Sequence, residues 1–443
     1  MSSSETQASE TTSIPEVLQL LQQEPEAYFE HLEANFDARE SQVQAFLPEE
    51  HRFARLRSDY EVLEARFPDR GARPLLFGLP VGVKDIFHVD GFETHAGSQL
   101  PADRLAGEQA VCVTQLLDAG TLVLGKTVTT EFAYFAPGPT RNPHNLAHTP
   151  GGSSSGSAAG VAAGLVPVAF GTQTVGSINR PAAYCGVVGF KPSYARISAA
   201  GVIPLAPSLD HVGTFTSDVG GVLAAAPFLL ADWKPEHLDG RLGDLAPGTI
   251  TLGIPSGPYL EGASEEAIAH FESVRARLER GGLRVVDIPA MPDHAEISER
   301  HYLILAAEAA AVHKDWFDDF PELYRSKTAE LIAMGREVSD DQLVSAREGR
   351  EQLRHQLRAL MEEYRIDAWI SPAAPGPAPE GIESTGDPAM NLPWTHSGLP
   401  TIGLPSGWSA SELPLGIQLT GSWYGDERLL AEAVAVERAL MEN

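Results

Sequence analysis

The sequence predicts an α/β fold built as one large domain, and two features of the chain support this. Short apolar runs with strand character alternate with longer stretches in which apolar residues recur at helical spacing. No polar linker divides the chain into separate units. Because alternating strands and helices bury their apolar faces in stacked layers, we expect helices packed against a sheet.

The N-terminal part begins with a polar segment and continues in helices. Residues 1–13 are polar and lack periodicity, which is typical of a flexible tail. Helical spacing follows from Ile14 and again over residues 40–67. A buried strand that ends near a lysine is predicted within residues 75–90, and residues 111–126 predict a helix, a turn and a second strand.

The most distinctive region, residues 149–191, is dense in glycine, serine and alanine but is not a repeat. Its interleaved valines and prolines indicate a packed interior in which backbones approach closely, and the segment SAAGVAAGLV predicts a buried helix. Later residues have an ordinary texture, with a closing helix from about residue 426. Further helices are predicted near 264–281, 299–317 and 339–365, and further strands in 367–375, 399–408 and 413–421.

We therefore divide the chain into a flexible tail, residues 1–13, and a single domain, residues 14–443. The core of this domain is predicted to comprise residues 71–220 and 366–443, with residues 221–365 as a variable addition. A chain of 443 residues, of which 43% are hydrophobic, can bury a core of this size.

The composition argues against several classes of function. Acidic residues outnumber basic ones by 60 to 32, and a net charge of −28 repels phosphate backbones, so we expect no nucleic-acid partner. Cys112 and Cys185 stand far apart in apolar or small-residue surroundings, which suits neither a disulfide framework nor a metal cluster. Since the sequence has no signal-like segment and no apolar run of about 20 residues, we expect a cytoplasmic protein without a membrane partner.

Two motifs match patterns that bind phosphate or a metal, but their sequence context argues against both sites. Residues 120–127, GTLVLGKT, match the phosphate-binding pattern G-x-x-x-x-G-K-[ST] letter by letter. That motif needs a loop between a strand and a helix, whereas its central residues here are strand formers, so Lys126 is interpreted as structural. His144 and His148 are four residues apart, but Pro143 argues against a helix that would align them, and we expect no metal or other cofactor.

Three residues have the character of an amide-hydrolysing centre, which needs a nucleophile, a base and donors for an oxyanion. In GTQTVGSIN, small or hydroxylated residues precede Ser177, so consecutive backbone N–H groups could converge on one point. Ser153 lies 24 residues earlier, in GGSSSG, a spacing that allows a helix and a strand to leave and return. Lys84 lies in the apolar segment LPVGVKDIF, and burial favours the neutral form of a lysine, which can act as a base.

These and other segments resemble the amidase signature family, and they occur in the order of that family. The resemblance covers the chain except for the tail and parts of residues 221–365. The matching segments are LPVGVKDIF, GKTVTTEFA, PGGSSSGSAAGVAAGLVP, GTQTVGS, RPAAYCGVVGFKPSYARIS, SLDHVGTFTSDV, GLPTIGLPSG and LPLGIQLTG. The resemblance implies a central mixed β-sheet covered by helices on both faces, and a substrate pocket shaped by the variable residues 221–365.

Carried over to this chain, the resemblance implies a triad of two serines and a lysine. Ser177 is then the acyl nucleophile, and Ser153, which the family typically holds in a cis peptide, bridges it to a neutral Lys84. The oxyanion hole is then formed by the backbone N–H groups of Thr174, Val175, Gly176 and Ser177.

The chain departs from the family pattern around the nucleophile. Gln173 stands where the family commonly has Asp, and Val175 where it has Gly. Asn179 stands where the family has Arg, and Arg180 follows it. These changes remove no catalytic group. Because a β-branched residue disfavours positive φ, we predict a negative φ at Val175.

The predicted function is hydrolysis of a small-molecule carboxylic amide to an acid and ammonia or an amine, with esters and anilides as further candidate substrates. Two alternatives stay open: the glutamine-hydrolysing subunit of a tRNA-dependent amidotransferase, and a catalytically silent binding scaffold. Several aromatic residues of the variable segment either line the acyl pocket or belong to the core, namely Tyr302, Trp316, Phe317, Phe320 and Tyr324. The resemblance also suggests a homodimer.

Overall fold

A ten-stranded mixed sheet forms the centre of the structure, a computed structural model that describes residues 13–238 and 248–442. Residues 1–12 of the predicted tail lie outside the described residues. The strands are β1 Pro80–Lys84, β2 Leu122–Thr127, β3 Val168–Gln173, β4 Val188–Lys191, β5 His211–Thr216, β6 Thr251–Ser256, β7 Arg284–Pro289, β8 Ala368–Pro372, β9 Thr401–Trp408 and β10 Pro414–Thr420.

The order of the strands across the sheet is β2-β1-β3-β5-β4-β9-β10-β8-β6-β7. Strand β1 pairs in parallel with β2 and β3, and β6 pairs in parallel with β7 and β8. The strands between these two parallel groups pair antiparallel. The sheet is therefore mixed, with parallel strands toward both edges.

The described residues also form fourteen α-helices. They are α1 Ile14–Gln23, α2 Pro25–Val43, α3 Arg52–Arg66, α4 Val111–Asp118, α5 Ser155–Ala162, α6 Asn179–Cys185, α7 Val219–Leu229, α8 Glu265–Arg280, α9 His294–Val312, α10 Lys314–Asp319, α11 Ser326–Arg336, α12 Asp340–Tyr364, α13 Leu392–Ser397 and α14 Asp426–Glu442. Every residue of β1, β2, β3, β4, β5 and β8 is buried, which requires cover on both faces of the sheet. The predicted single α/β domain with a mixed, doubly covered sheet is confirmed.

Local sequence explains where helix α1 begins and why helix α5 packs closely against its neighbours. Ser13 caps α1, because its hydroxyl accepts from the Glu16 N–H while the Glu16 carboxylate accepts from the Ser13 N–H. Ser13 therefore belongs to the first helix rather than to the tail. Helix α5 consists of small residues that are all buried, and a Cβ at Gly156 would overlap the carbonyl oxygen of Ala45. The predicted buried helix is thus one in which the backbone itself makes the close contact.

The first two strands have the predicted positions. Strand β2 runs through the phosphate-like motif, so the N–H groups of that segment face β1 and do not form a phosphate loop. Lys126 in this strand forms a buried ion pair with Asp85, Nζ to Oδ1 2.8 Å, and donates to Thr94 Oγ1 at 3.0 Å. These contacts confirm that Lys126 is structural.

The segment 221–365 is part of the sheet as well as an addition to it. It supplies β6 and β7, and β6 pairs in parallel with β8 of the predicted core, with Leu252 opposite Ala368. The structure thus corrects the predicted division for these two strands. The apolar run of β6 is interrupted by Gly253 and Pro255, and that of β7 by the charged residue Asp287. Helix α11 was not predicted either, and it packs against α9.

Candidate active site

The predicted base, Lys84, is the last residue of β1 and lies in the interior of the molecule. Its side chain is fully buried, with 0% exposure. The Nζ atom lies 2.8 Å from Ser153 Oγ and 2.8 Å from Thr172 Oγ1. Thr172 belongs to β3, the parallel neighbour of β1, so the sheet itself sets the distance between these two side chains.

The surroundings of Lys84 decide its protonation. Its hydrogen-bond partners are hydroxyl groups, and no carboxylate of the described residues forms an ion pair with it. Burial lowers the pKa of Lys84 well below its ordinary value, because a charged ammonium loses its hydration in the interior. The negative charge of Asp210 opposes this shift without offsetting it. The direction of this shift favours the neutral amine, which is the form of lysine that can accept a proton.

Ser153 stands in the loop that leads into α5, directly after a cis peptide bond between Gly152 and Ser153. This geometry agrees with the resemblance seen in the sequence. Arg180 Nη2 donates to the Gly152 carbonyl at 2.7 Å, and the backbone N–H of Thr130 donates to the Ser153 carbonyl at 3.2 Å. The loop is thereby held with the Ser153 hydroxyl on Lys84.

Ser177 stands in the loop between β3 and α6 and is the most accessible of the three predicted residues. It is 7% exposed, compared with 2% for Ser153 and 0% for Lys84. Its hydroxyl makes no hydrogen bond to another described residue, so Lys84 and Ser153 are in contact whereas Ser177 is not hydrogen-bonded to either. Arg180, three residues beyond Ser177, reaches back to the loop of Ser153 and joins the two serine loops. Of these three residues, Ser177 is therefore the one that a ligand entering from solvent can reach most readily.

Four consecutive backbone N–H groups ahead of α6 donate no hydrogen bond to a described residue. They belong to Thr174, Val175, Gly176 and Ser177. The next two N–H groups, of Ile178 and Asn179, both donate to Gln173 Oε1, at 2.8 and 3.0 Å. Backbone N–H groups of a loop that have no other partner are suited to bind a developing negative charge. Val175 is not among the residues with positive φ, as predicted.

Three polar residues that contact this region were missed by the sequence prediction, namely Thr172, Asp210 and Thr395. Thr174 Oγ1 donates to Asp210 Oδ1 at 2.6 Å, and Thr395 Oγ1 donates to the Val175 carbonyl at 2.6 Å. Asp210 lies in the segment SLDHVGTFTSDV, which resembles the family, but the sequence assigned no role to this residue. Thr395 is 220 residues from its partner and gave no signal at all.

Asp210 is half-buried, and its carboxylate is well supplied with donors. Besides Thr174, the backbone N–H groups of Leu205 and Ala206 donate to its Oδ2 atom, at 2.9 and 3.1 Å. Burial raises the pKa of Asp210 to about 6 in spite of these hydrogen bonds. Above that pH the carboxylate is ionised and accepts all three bonds.

A cavity of about 350 Å³ opens beside the two serine loops. Two of its wall residues touch these loops: a Cβ at Gly152 would lie 2.6 Å from Thr385 Cγ2, and one at Gly176 would lie 2.9 Å from Pro388 Cβ. The other wall residues are Tyr134, Phe135, Tyr302, Lys327, Glu330, Met334, Ser384, Gly386 and Asp387. A larger cavity of about 760 Å³ lies between the N-terminal helices and residues 128–139. None of the three predicted residues is in the wall of either cavity, but the wall of the smaller one contacts both serine loops. The smaller cavity is therefore the candidate substrate pocket.

The aromatic residues of the variable segment divide between this cavity and the core. Tyr302 lines the cavity and is 36% exposed. Tyr324 is buried, and Trp316, Phe317 and Phe320 pack against the main core. Of the five candidates for an acyl pocket, one therefore has that position.

The histidines and cysteines considered in the sequence have structural surroundings. His144 Nε2 lies 2.8 Å from the Cys185 carbonyl oxygen, and His148 Nδ1 lies 2.8 Å from the Ala378 carbonyl oxygen. Both cysteines are free and buried. Within the described part of the chain, no group of three His, Cys, Asp or Glu side chains could hold a metal ion. None of the described helices combines the length and apolar character needed to cross a membrane.

The sheet, the buried lysine and the two serine loops together define an enzyme that acts on amide carbon–nitrogen bonds. The chain belongs to the amidase signature family, since the family model described as Amidase matches residues 43–430. One relative is a glutamyl-tRNA(Gln) amidotransferase subunit of Koribacter versatilis (strain Ellin345). It is 31% identical over 419 residues, which cover 84% of this chain and 86% of the relative.

Solved structures agree with this assignment. The crystal structure of an amidase matches with a TM-score of 0.85 and 28% identity, over 96% of this chain and 99% of that chain. A peptide amidase from Stenotrophomonas maltophilia matches with a TM-score of 0.79 and 24% identity, over 96% of each chain. The second likeness concerns the fold alone.

Proposed function

We propose that this protein hydrolyses a small-molecule carboxylic amide to a carboxylic acid and ammonia or an amine, through an acyl-enzyme on Ser177. The observation that carries the proposal is the 2.8 Å contact between Ser153 and a fully buried lysine, Lys84, which forms no ion pair with a carboxylate of the described residues. A neutral amine beside a hydroxyl can take its proton, whereas a lysine held as a cation cannot.

Acylation proceeds along the chain of hydroxyl groups. Lys84 takes a proton from Ser153 while Ser153 takes one from Ser177. The Ser177 oxygen attacks the carbonyl carbon, and the free N–H groups of residues 174–177 stabilise the negative charge on the carbonyl oxygen. As the carbon–nitrogen bond breaks, the proton returns through Ser153 to the leaving nitrogen.

Water cleaves the resulting ester by the same route. The relay of Ser153 and Lys84 removes a proton from water, whose oxygen attacks the acyl carbon, and Ser177 recovers its proton as the acid leaves. Lys84 thus ends each cycle neutral. Because the acyl-enzyme does not depend on the leaving nitrogen, esters and anilides are further candidate substrates.

A buried cation, Arg180, lies behind the wall of the cavity, whose own charged residues are Lys327, Glu330 and Asp387. Arg180 is 1% exposed, and its guanidinium donates to the carbonyls of Gly386 and Gly152 and to Thr385 Oγ1, at 2.7, 2.7 and 3.0 Å. None of these acceptors is ionised, and the carboxylate that acts on Arg180 electrostatically is the exposed Asp387. Among the described residues Arg180 therefore has no ion-pair partner, and a buried cation of this kind attracts anions. We therefore infer a preference for amides whose acyl part bears a carboxylate.

The second candidate function is ammonia release from glutamine within a tRNA-dependent amidotransferase. It is favoured by the 31% identity to a protein named as a component of such an enzyme. Glutamine is itself an amide that carries a carboxylate, so the cavity does not separate the two candidates. They differ in whether activity needs a partner protein.

An amide panel measured with the purified chain tests these proposals. The panel pairs succinamate with butyramide, includes glutamine, and compares the wild type with Ser177→Ala. We expect succinamate to be preferred over butyramide, and ammonia release and fluorophosphonate labelling to be lost in Ser177→Ala with an unchanged melting temperature.

Activity that persists in Ser177→Ala would mean that the nucleophile lies elsewhere. Glutamine hydrolysis that appears only with a co-purified partner would favour the second candidate. A chain inert to the panel and to the label would be a binding scaffold.

A further inference from the structure

We propose that Gln173 and Thr395 are positioning residues that fix the direction of one N–H group in the oxyanion hole. The inference rests on the proposed function, since it concerns the loop that would bind the oxyanion. Gln173 is the last residue of β3 and Thr395 belongs to α13, and both are fully buried. Their side chains are joined by a hydrogen bond of 2.9 Å between Gln173 Nε2 and Thr395 Oγ1.

The hydrogen bonds of the Gln173 side chain allow only one assignment of donors and acceptors. Its Oε1 atom lies 2.8 Å from the Ile178 nitrogen and 3.0 Å from the Asn179 nitrogen, and backbone N–H groups can only donate. The other amide atom, Nε2, therefore faces Thr395 Oγ1 and donates to it. Since the Thr395 hydroxyl accepts this bond, its own proton is left for another acceptor.

That proton goes to the carbonyl of Val175. Two carbonyl oxygens lie within reach of Thr395 Oγ1, that of Val175 at 2.6 Å and that of Asn391 at 3.3 Å, and the shorter contact is the stronger one. The C=O and N–H of one peptide plane point in opposite directions. A bond that holds the Val175 carbonyl toward Thr395 therefore turns the Gly176 N–H away from Thr395, and this N–H is one of the four without a partner among the described residues.

Glutamine is the residue type that completes this arrangement. A carboxylate at position 173 could accept from Ile178 and Asn179 as Gln173 does, but it has no proton to donate to Thr395. The hydroxyl of Thr395 would then donate to the carboxylate and release the Val175 carbonyl. Gln173 and Thr395 therefore work as a pair, which gives a physical role to a position where the chain departs from the family pattern.

The rate at which a fluorophosphonate labels Ser177 tests the inference without knowledge of the natural substrate. In this reaction the Ser177 oxygen bonds to phosphorus, fluoride leaves with its electron pair, and the serine proton passes to Ser153 and Lys84. The phosphoryl oxygen occupies the oxyanion hole. We expect Thr395→Val, which removes the hydroxyl and keeps the shape, to lower the maximal labelling rate by about 10- to 100-fold at an unchanged half-saturating concentration. Loss of a whole oxyanion donor costs about 10²- to 10³-fold, and the hydroxyl only orients one.

Two matched variants separate orientation from general packing. Thr395→Ser keeps the hydroxyl and should retain the wild-type labelling rate. Thr401→Val makes the same change at another fully buried threonine, whose hydroxyl contacts Thr420 Oγ1 at 3.2 Å, and it should also label like the wild type. A wild-type rate in Thr395→Val, or equal losses in Thr395→Val and Thr401→Val, would overturn the inference.

Gln173→Glu provides a second test if Thr395→Val does not fold. The introduced carboxylate cannot donate to Thr395, so we expect a loss of labelling rate similar to that of Thr395→Val. Labelling that persists in Ser177→Ala would refute the proposed function. Labelling that depends on Ser177 but is unaffected in Thr395→Val and Gln173→Glu would refute the positioning role alone.

Discussion

Lys84 and Lys126 show how one residue type takes two roles at the same edge of the sheet. They lie at or near the ends of the neighbouring parallel strands β1 and β2, and they are 0% and 4% exposed. The Nζ atom of Lys126 lies 2.8 Å from Asp85 Oδ1. That of Lys84 is hydrogen-bonded to the hydroxyl groups of Ser153 and Thr172.

The neighbours of the two lysines, rather than their burial, separate the two roles. Burial lowers the pKa of both. At Lys126 the charge of Asp85 acts in direct contact against this shift and favours an ion pair. At Lys84 the opposing charge is that of Asp210, whose oxygens are already bonded to Thr174 and to two backbone N–H groups. A buried lysine therefore becomes a candidate base when the groups that touch it are neutral.

The largest effect is expected when Lys84 is removed. We expect Lys84→Met to lower amide hydrolysis by at least about 10³-fold, because a catalytic unit of this kind loses most of its power with any one member. Stability should change little, since no charge is left without a partner. Ammonia release and urea unfolding measure the two quantities. Hydrolysis at the wild-type rate would exclude Lys84 as the base.

Removal of Lys126 should lower the stability of the protein and leave its activity unchanged, the reverse of the result expected for Lys84. In Lys126→Met the carboxylate of Asp85, which is 1% exposed, loses its ion-pair partner, and breaking a buried pair costs about 3–5 kcal/mol in the free energy of unfolding. The activity of the folded molecules should remain. Urea unfolding at pH 8 and the hydrolysis rate per folded enzyme measure these effects.

The double variant Asp85→Asn/Lys126→Met is the matched control for this prediction. It removes both charges, so it should recover most of the stability lost in Lys126→Met. An unchanged unfolding free energy in the single variant would show that the ion pair of Lys126 and Asp85 is not structural.

Much of the fold and the centre of the site could be predicted because they are encoded in contiguous segments. Lys84 ends a strand that its apolar neighbours predict, and Ser153 lies in a segment with a family-like spacing, so their contact follows from local pattern and resemblance. Strands β6 and β7 were not predicted. Their runs are short, and β7 has both exposed and buried residues, because it pairs with β6 at the edge of the sheet.

The residues that contact the loop of residues 174–177, the proposed oxyanion hole, could not be predicted for a different reason. Thr395 is 222 residues from Gln173, and Asp210 is 36 residues from Thr174. No local pattern distinguishes a threonine or an aspartate with such a partner from one that is simply buried. Their roles become visible only when the sheet brings distant segments together.

The smallest effect is expected for Asp210. Its removal tests whether a charge that is not in contact with Lys84 changes the pKa of that lysine. Its negative charge stabilises the ammonium form of Lys84 and so raises the pKa of that lysine against the effect of burial. Asp210→Asn removes this charge, so the neutral form of Lys84 should persist to lower pH, and the acid limb of kcat/KM should move to lower pH. We also expect kcat to fall by about tenfold, equivalent to about 1.4 kcal/mol, because Thr174 loses a charged acceptor. An acid limb that stays in place or moves to higher pH would show that the charge of Asp210 does not affect the pKa of Lys84. The difference between Lys84 and Lys126 would then rest only on the burial of Lys84 and its contacts with hydroxyl groups.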